Sequence, residues 1–281
     1  DDAGRTLVPE RRVRFSRLVL ALGSGSNFFG TPGAEHAHVL EHADDAERFR
    51  RHLLACFVRA SFSAGRRMAV AIVGAGATGV ELSAELLEAH DEMLESLAPA
   101  QRFAMQVTLI EAAPRVLAGL PERISQHATE ALQRRQVDVR TGTKVVALRP
   151  DAVETDGGRI PADLIVWAAG IQAAPANDGF GLAVNRAHQF VVDDRLRTSA
   201  EGVFAMGDCA ACPWQDGRTV PARAQAAHQL AADLAGVLAA PGPAAPAPPF
   251  RYRDFGSLVS LGERQGVGTL MGSLSGPNLF V

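Results

Sequence analysis

Gly74, Gly76 and Gly79 carry the spacing GxGxxG inside the run Val70-Ala71-Ile72-Val73-Gly74-Ala75-Gly76-Ala77-Thr78-Gly79-Val80-Glu81-Leu82. An apolar run of strand length leads into them and an amphipathic helical pattern follows, the context in which this spacing cradles a pyrophosphate. Gly74 permits a tight turn, Gly76 lets the backbone approach the phosphates, and Gly79 lets helix and strand pack closely. Thr78 stands in the same loop, where free N–H groups and partial positive charge face the anion. The next expected strand, Val107–Ile110, ends at Glu111. A carboxylate there accepts hydrogen bonds from both ribose hydroxyls and repels a 2′-phosphate, so NADH is favoured over NADPH. The acid lies further along than the usual offset of about 20 residues; the excess falls in Ala89–Phe103, as a helix extension plus loop. A second candidate, Gly23-Ser24-Gly25, has Phe28 at the third glycine position and Pro32 blocking a helix, so it reads as a domain-crossing turn.

The elements around these residues alternate between apolar runs and helical patterns, the signature of an α/β fold. Strands are expected at Leu18–Leu22, Met68–Val73, Val107–Ile110, Val137–Arg140, Val145–Leu148, Ala152–Glu154 and Leu164–Trp167, with a hairpin turn at Gly157-Gly158. Helices are expected over Asp45–Arg59, about Gly79–His90 and Pro121–Arg135. Leu18–Gly23 and Leu164–Gly170 share one design, an apolar run, small residues, then glycine. They read as the entry to and exit from an inserted domain. The expected division is 1–30, then an inserted nucleotide domain 31–163, a return 164–240, and a connector with the start of a C-terminal region, 241–281. Ala239–Pro249 is too rich in proline for helix or central strand, and Phe250–Met271 reads as short strands.

The chain has 281 residues, 47% of them hydrophobic, and a net charge of −3. That composition supports a buried core and gives no field to attract nucleic acid. Three cysteines exclude a disulfide-stapled scaffold, and no run of about 18 apolar residues spans a membrane. Cys56 reads as core. Cys209 and Cys212, in Cys-Ala-Ala-Cys, are either a redox or half-zinc pair or plain thiols, and plain thiols are favoured because no second ligand pair lies nearby. The histidines show no metal-ligand spacing, and the arginines of Glu47–Arg67 read as a solvated helix face.

These residues resemble the two-dinucleotide-binding flavoproteins, the pyridine nucleotide–disulfide oxidoreductase superfamily. The crossings Leu20-Ala21-Leu22-Gly23 and Trp167-Ala168-Ala169-Gly170 and the segment Val203-Phe204-Ala205-Met206-Gly207-Asp208 carry the likeness. Within the superfamily the chain is most similar to type II NADH:quinone oxidoreductase, through Gly79-Val80-Glu81-Leu82, Pro221–Gln229 and Tyr252–Val259. The resemblance implies an FAD-dependent enzyme that takes hydride from NADH and delivers electrons to a membrane quinone without pumping protons. It implies two Rossmann-like domains, the NAD domain inserted in an incomplete FAD domain. Gly23, Ala169, Gly170, Gly207, Asp208 and Ala224 would then contact the flavin, with Asp208 accepting hydrogen bonds from the ribityl region. Pro221 would open a helix whose positive end stabilises the reduced flavin by on the order of 1 kcal/mol.

Gln225 and Gln229, four apart on one helical face, would line the quinone site; on an Ala-rich helix such residues are otherwise simply solvated. Glu81 is explained equally by the helix dipole and by a role at the nicotinamide–flavin contact. No GxGxxG precedes Leu18, and the family's amphipathic anchor would lie past Val281. The chain is therefore expected to be a soluble internal fragment of an enzyme held peripherally on the cytoplasmic side of the inner membrane. A homodimer is among the partners the resemblance allows. A soluble ferredoxin reductase or NADH oxidase, and a catalytically silent nucleotide sensor, are the alternatives.

Overall fold

Val70, Ala71, Ile72 and Val73 are all buried, because this strand is covered on both faces, as strands of parallel sheets are. The computed structural model describes residues 8–9, 11–63, 65, 67–239, 249–262, 265–270 and 274–277. Asp1, Asp2, most of the proline-rich run and Met271 lie outside the described residues. The elements begin with β1 (Leu18–Leu20), β2 (Gly25–Ser26), α1 (Ala43–Phe62), β3 (Arg67–Val73), α2 (Ala77–Ser96) and β4 (Ala104–Ile110). Next come α3 (Glu122–Arg134), β5 (Asp138–Arg140), β6 (Val145–Arg149), β7 (Ala152–Thr155), β8 (Gly158–Pro161) and β9 (Leu164–Trp167). β10 (Ile171–Gln172), β11 (Phe190–Val191), β12 (Val203–Ala205), β13 (Ala210–Ala211) and α4 (Ala224–Ala239) follow. The described elements end with β14 (Gly256–Gly262), β15 (Gln265–Leu270) and β16 (Leu274–Pro277).

The chain divides into two compact units, one of Asp1–Ser24 with Gln172–Arg253 and one of Gly25–Ile171 with Asp254–Val281. The second unit is built on a parallel four-stranded sheet in the order β5-β4-β3-β9. On one face Met68, Val70, Ile72 and Leu109 pack with Phe49, Leu53 and Phe57 of α1, Val80 and Leu86 of α2, and Ile124 and Leu132 of α3. Val259, Leu261 and Val267 of the β14–β15 hairpin enter that same core. On the other face Ala71, Val73, Ile110, Ile165 and Trp167 meet Leu148, Val153 and Ile160 of the antiparallel β6-β7-β8 sheet. In the first unit β1 runs parallel to β12. Leu20, Phe190, Leu196, Ala205, Leu230 and Leu234 form its core. The sheets are Rossmann-like, within an α/β fold.

Three boundaries differ from the sequence reading. Leu164–Trp167, expected to return the chain to the first domain, is hydrogen-bonded along β3 with Val70 opposite Leu164. It completes the nucleotide-motif sheet, so the crossings expected at 30/31 and 163/164 fall at 24/25 and 171/172. The region from 241 onward is not one block: it stays with the first unit to Arg253 and joins the second from Asp254. The reason is apolar, since Val259 and Leu261 are buried among residues of α2 and α3. The expected opening of a helix at Pro221 also shifts, because α4 starts at Ala224 and Pro221 precedes it.

Candidate functional site

The three motif glycines are distinguished by what a side chain would meet. Gly74 has φ +103°, and a Cβ there would lie 2.5 Å from Ala169 Cα. Its N–H donates to Ile110 O at 2.7 Å, and Ala168 N–H donates to Val73 O at 2.7 Å, so the turn is sewn between β4 and β9. A Cβ on Gly79 would overlap the Gly74 carbonyl oxygen, which fixes how closely α2 approaches the turn. Around Gly76, the N-cap of α2, a Cβ would meet nothing within 4 Å. Gly76, Ala77 and Thr78 are exposed, leaving the N-terminal amides of a long helix open to an anion.

Glu111 sits immediately after β4, beside this loop. Its Oε2 accepts the Ala75 N–H at 2.7 Å and its Oε1 accepts the Ala113 N–H at 2.8 Å. The carboxylate is thus aimed by the loop itself, with lone pairs remaining for hydroxyl donors. The long spacing that precedes Glu111 is the extension of α2 to Ser96 and a short 3-10 turn at Pro99–Gln101. A cleft of about 660 Å³ opens over these strand ends. Gly74, Glu111, Trp167 and Ala169 line it, and so do Phe29 and Lys144, which sequence reasoning did not assign. Neither carried a signal of such a role: Lys144 is simply the chain's single lysine, and Phe29 stands in a turn.

Glu81 falls in the second turn of α2, not the first, so the helix-end account expected for it does not hold. Its Oε1 accepts the Ser260 N–H at 3.1 Å, tying α2 to β14. Gln229 is also engaged: its Nε2 donates to Arg253 O at 2.9 Å and its Oε1 accepts Arg253 N–H at 3.0 Å. This two-point clamp on the backbone uses one N–H and one lone pair of the amide and leaves a second donor and acceptor on the side chain. Gln225 is half-buried on the same helix, and Ala224 is exposed at its start.

In the first unit Gly207 has φ +72° and Asp208 follows it just after β12. Ser24 Oγ donates to Asp208 Oδ2 at 2.8 Å, while Gln189 Nε2 donates to Asp208 O at 2.9 Å. Gly23, at φ +69°, has nothing within 4 Å of a Cβ position. Asp208 thus presents an oriented carboxylate near the open Gly23 backbone, able to accept hydrogen bonds from a ligand's hydroxyl groups. Gly170 has φ +149° at the other crossing.

Cys209 and Cys212 are fully buried free thiols. Burial, reinforced by Asp193, Asp194 and Asp233, pushes the Cys212 thiol up to about 12, so thiolate chemistry is suppressed there. Cys209 Sγ accepts the Leu22 N–H at 3.3 Å. Among the described residues no group of three or more His, Cys, Asp or Glu could hold a metal ion. None of their helices is long and apolar enough to cross a membrane.

A parallel sheet whose glycine turn opens a helix, with an acid ending the next strand, defines a dinucleotide-binding oxidoreductase module. The chain belongs to the pyridine nucleotide-disulphide oxidoreductase family, whose model matches residues 2–231. It is 39% identical over 290 residues to the type II NADH:quinone oxidoreductase of Haemophilus influenzae, covering 95% of this chain and 65% of that protein. It is 33% identical to external alternative NAD(P)H-ubiquinone oxidoreductase B2 of Arabidopsis thaliana, over 72% of this chain and 37% of that one. The chain therefore spans less than two thirds of these relatives. Among solved structures, NDH2 of Plasmodium falciparum in complex with NADH superposes with a TM-score of 0.83 at 19% identity, over 92% of this chain and 70% of that one, a likeness of fold. An FAD-dependent pyridine nucleotide-disulphide oxidoreductase of Desulfovibrio vulgaris gives 0.67 at 28% identity, over 92% and 61%.

Proposed function

We propose that this chain is the nucleotide-handling part of an FAD-dependent NADH:quinone oxidoreductase. The observation that carries the reading is the Gly76 opening beside a Glu111 carboxylate held by Ala75, on adjacent parallel strands. In it the amides of Gly76, Ala77 and Thr78 bind the pyrophosphate. Glu111 accepts the adenosine ribose hydroxyls and sets NADH ahead of NADPH, because a 2′-phosphate would meet its charge. Asp208, oriented by Ser24, holds the flavin nucleotide with the open backbone of Gly23 and the left-handed Gly207 turn. Bound flavin supplies the chemistry, accepting hydride from NADH and passing electrons to quinone.

The likeness to the Haemophilus influenzae enzyme supports quinone as acceptor. On this reading the nucleotide domain is an insertion in the flavin domain and the enzyme works peripherally on the cytoplasmic face of the inner membrane. Glu81 and Gln229 serve as ties, to Ser260 and Arg253 respectively, and their positions in the site are structural. Anaerobic mixing of the FAD-supplied protein with NADH should bleach the flavin absorbance, and a water-soluble quinone should restore it faster than ferredoxin does. No bleaching would overturn the oxidoreductase reading; restoration by ferredoxin alone would overturn the quinone assignment.

A further inference from the structure

Phe29 is 66% exposed and holds φ +51°, in the left-handed region that L side chains rarely adopt. That φ belongs to a tight turn shared with Gly30 at φ +71°, and the turn leaves a large aromatic exposed at the cleft wall instead of packed in a core. The turn that carries it is rigidly fastened. Asn27 N–H donates to Gly170 O at 2.9 Å, and Trp167 Nε1–H donates to Asn27 O at 2.9 Å. Thr31 N–H donates to Phe28 O at 2.8 Å, and Phe29 N–H donates to Asn27 Oδ1 at 2.8 Å. Phe28 turns inward against Trp167, ring centroids 5.2 Å apart. Its neighbour is left in the cleft, with the Phe29 Cζ 3.2 Å from where a Gly170 Cβ would stand. Any side chain on residue 170 would press on that ring.

The strand order gives the cleft a direction. Glu111 ends β4, Gly74 ends β3, and Ala169 and Gly170 follow β9, in the spatial order β4-β3-β9. A dinucleotide with its adenosine ribose at Glu111 and its pyrophosphate at Gly76 extends its second half toward Gly170, where Phe29 waits. We propose that Phe29 is a nicotinamide-positioning residue: its ring covers one face of the nicotinamide and leaves the other for hydride transfer. Stacking of this kind is modest in strength but geometrically selective, and the fixed turn means that little is lost in ordering it. The proposal rests on the cleft being the NADH site.

Calorimetry on the full chain with NADH and with ADP-ribose, which lacks the nicotinamide, separates the two ideas. Phe29→Gly, which also relieves the positive φ, should weaken NADH about five- to tenfold and ADP-ribose less than about twofold. Phe29→Trp should hold NADH within about twofold of the parent. Equal weakening of both ligands, or no change in either, would overturn the assignment. If the parent chain binds neither ligand, the cleft reading fails and this one with it.

Discussion

Gly76 and Gly79 respond to an added methyl group for opposite reasons. At Gly79 the methyl meets the Gly74 carbonyl within the chain, so Gly79→Ala should cost about 2 kcal/mol or more of stability, read from urea unfolding. At Gly76 it meets nothing of the chain, so Gly76→Ala should leave stability within about 1 kcal/mol. NADH affinity should nonetheless fall by about tenfold, because the methyl stands where phosphate must approach. Such roles are legible in sequence because they follow from a local turn and its neighbours. Glu81 and Gln229 were legible as polar residues on helices but not in their engagement. Their partners, Ser260 and Arg253, lie in segments that only the folded chain brings near. Gln229→Ala should therefore lower stability by about 1–2 kcal/mol while leaving NADH affinity unchanged.

Helices α1, α2 and α3 were readable from apolar periodicity, since each presents one stripe to a sheet. The placement of Leu164–Trp167 was not, because a strand apolar on both faces records no preferred neighbour, and pairing with β3 decides it. The same limit applies to β14, whose docking on α2 uses a glutamate that looks like ordinary helix decoration. Glu81→Ala should lose about 1–2 kcal/mol. Glu81→Gln, which keeps an acceptor for Ser260 N–H, should lose less than half as much in the same unfolding assay.

Next to β9, His38 Nε2 and His52 Nδ1 lie 2.8 Å apart, linking α1 to the segment before it. Burial, then His52 and Arg48, hold His38 below the ordinary histidine value of 6.5. The unfolded chain therefore takes up that proton first, and stability should fall as pH drops below 6.5, levelling once the folded histidine is also protonated. His38→Gln should flatten that part of the stability–pH curve; an unchanged slope would show that His38 does not produce it.

For the whole molecule, two compact units each carry a parallel strand pair beside a glycine and an acid: Gly74 and Glu111 follow the adjacent strands β3 and β4, while Gly207 and Asp208 are consecutive after β12. The family match over residues 2–231 takes in both. Both sets were visible in the sequence as two separate motifs, whereas the three chain crossings depend on which strands pair. The central claim is that the cleft holds NADH through the Gly76 loop and Glu111. Titration calorimetry with NADH and NADPH, on the parent chain and on Glu111→Ala, tests it most directly. One NADH site per chain is expected, bound at least about tenfold more tightly than NADPH, with the preference lost in Glu111→Ala. Equal or tighter binding of NADPH to the parent, or a preference that survives the loss of the carboxylate, would contradict it.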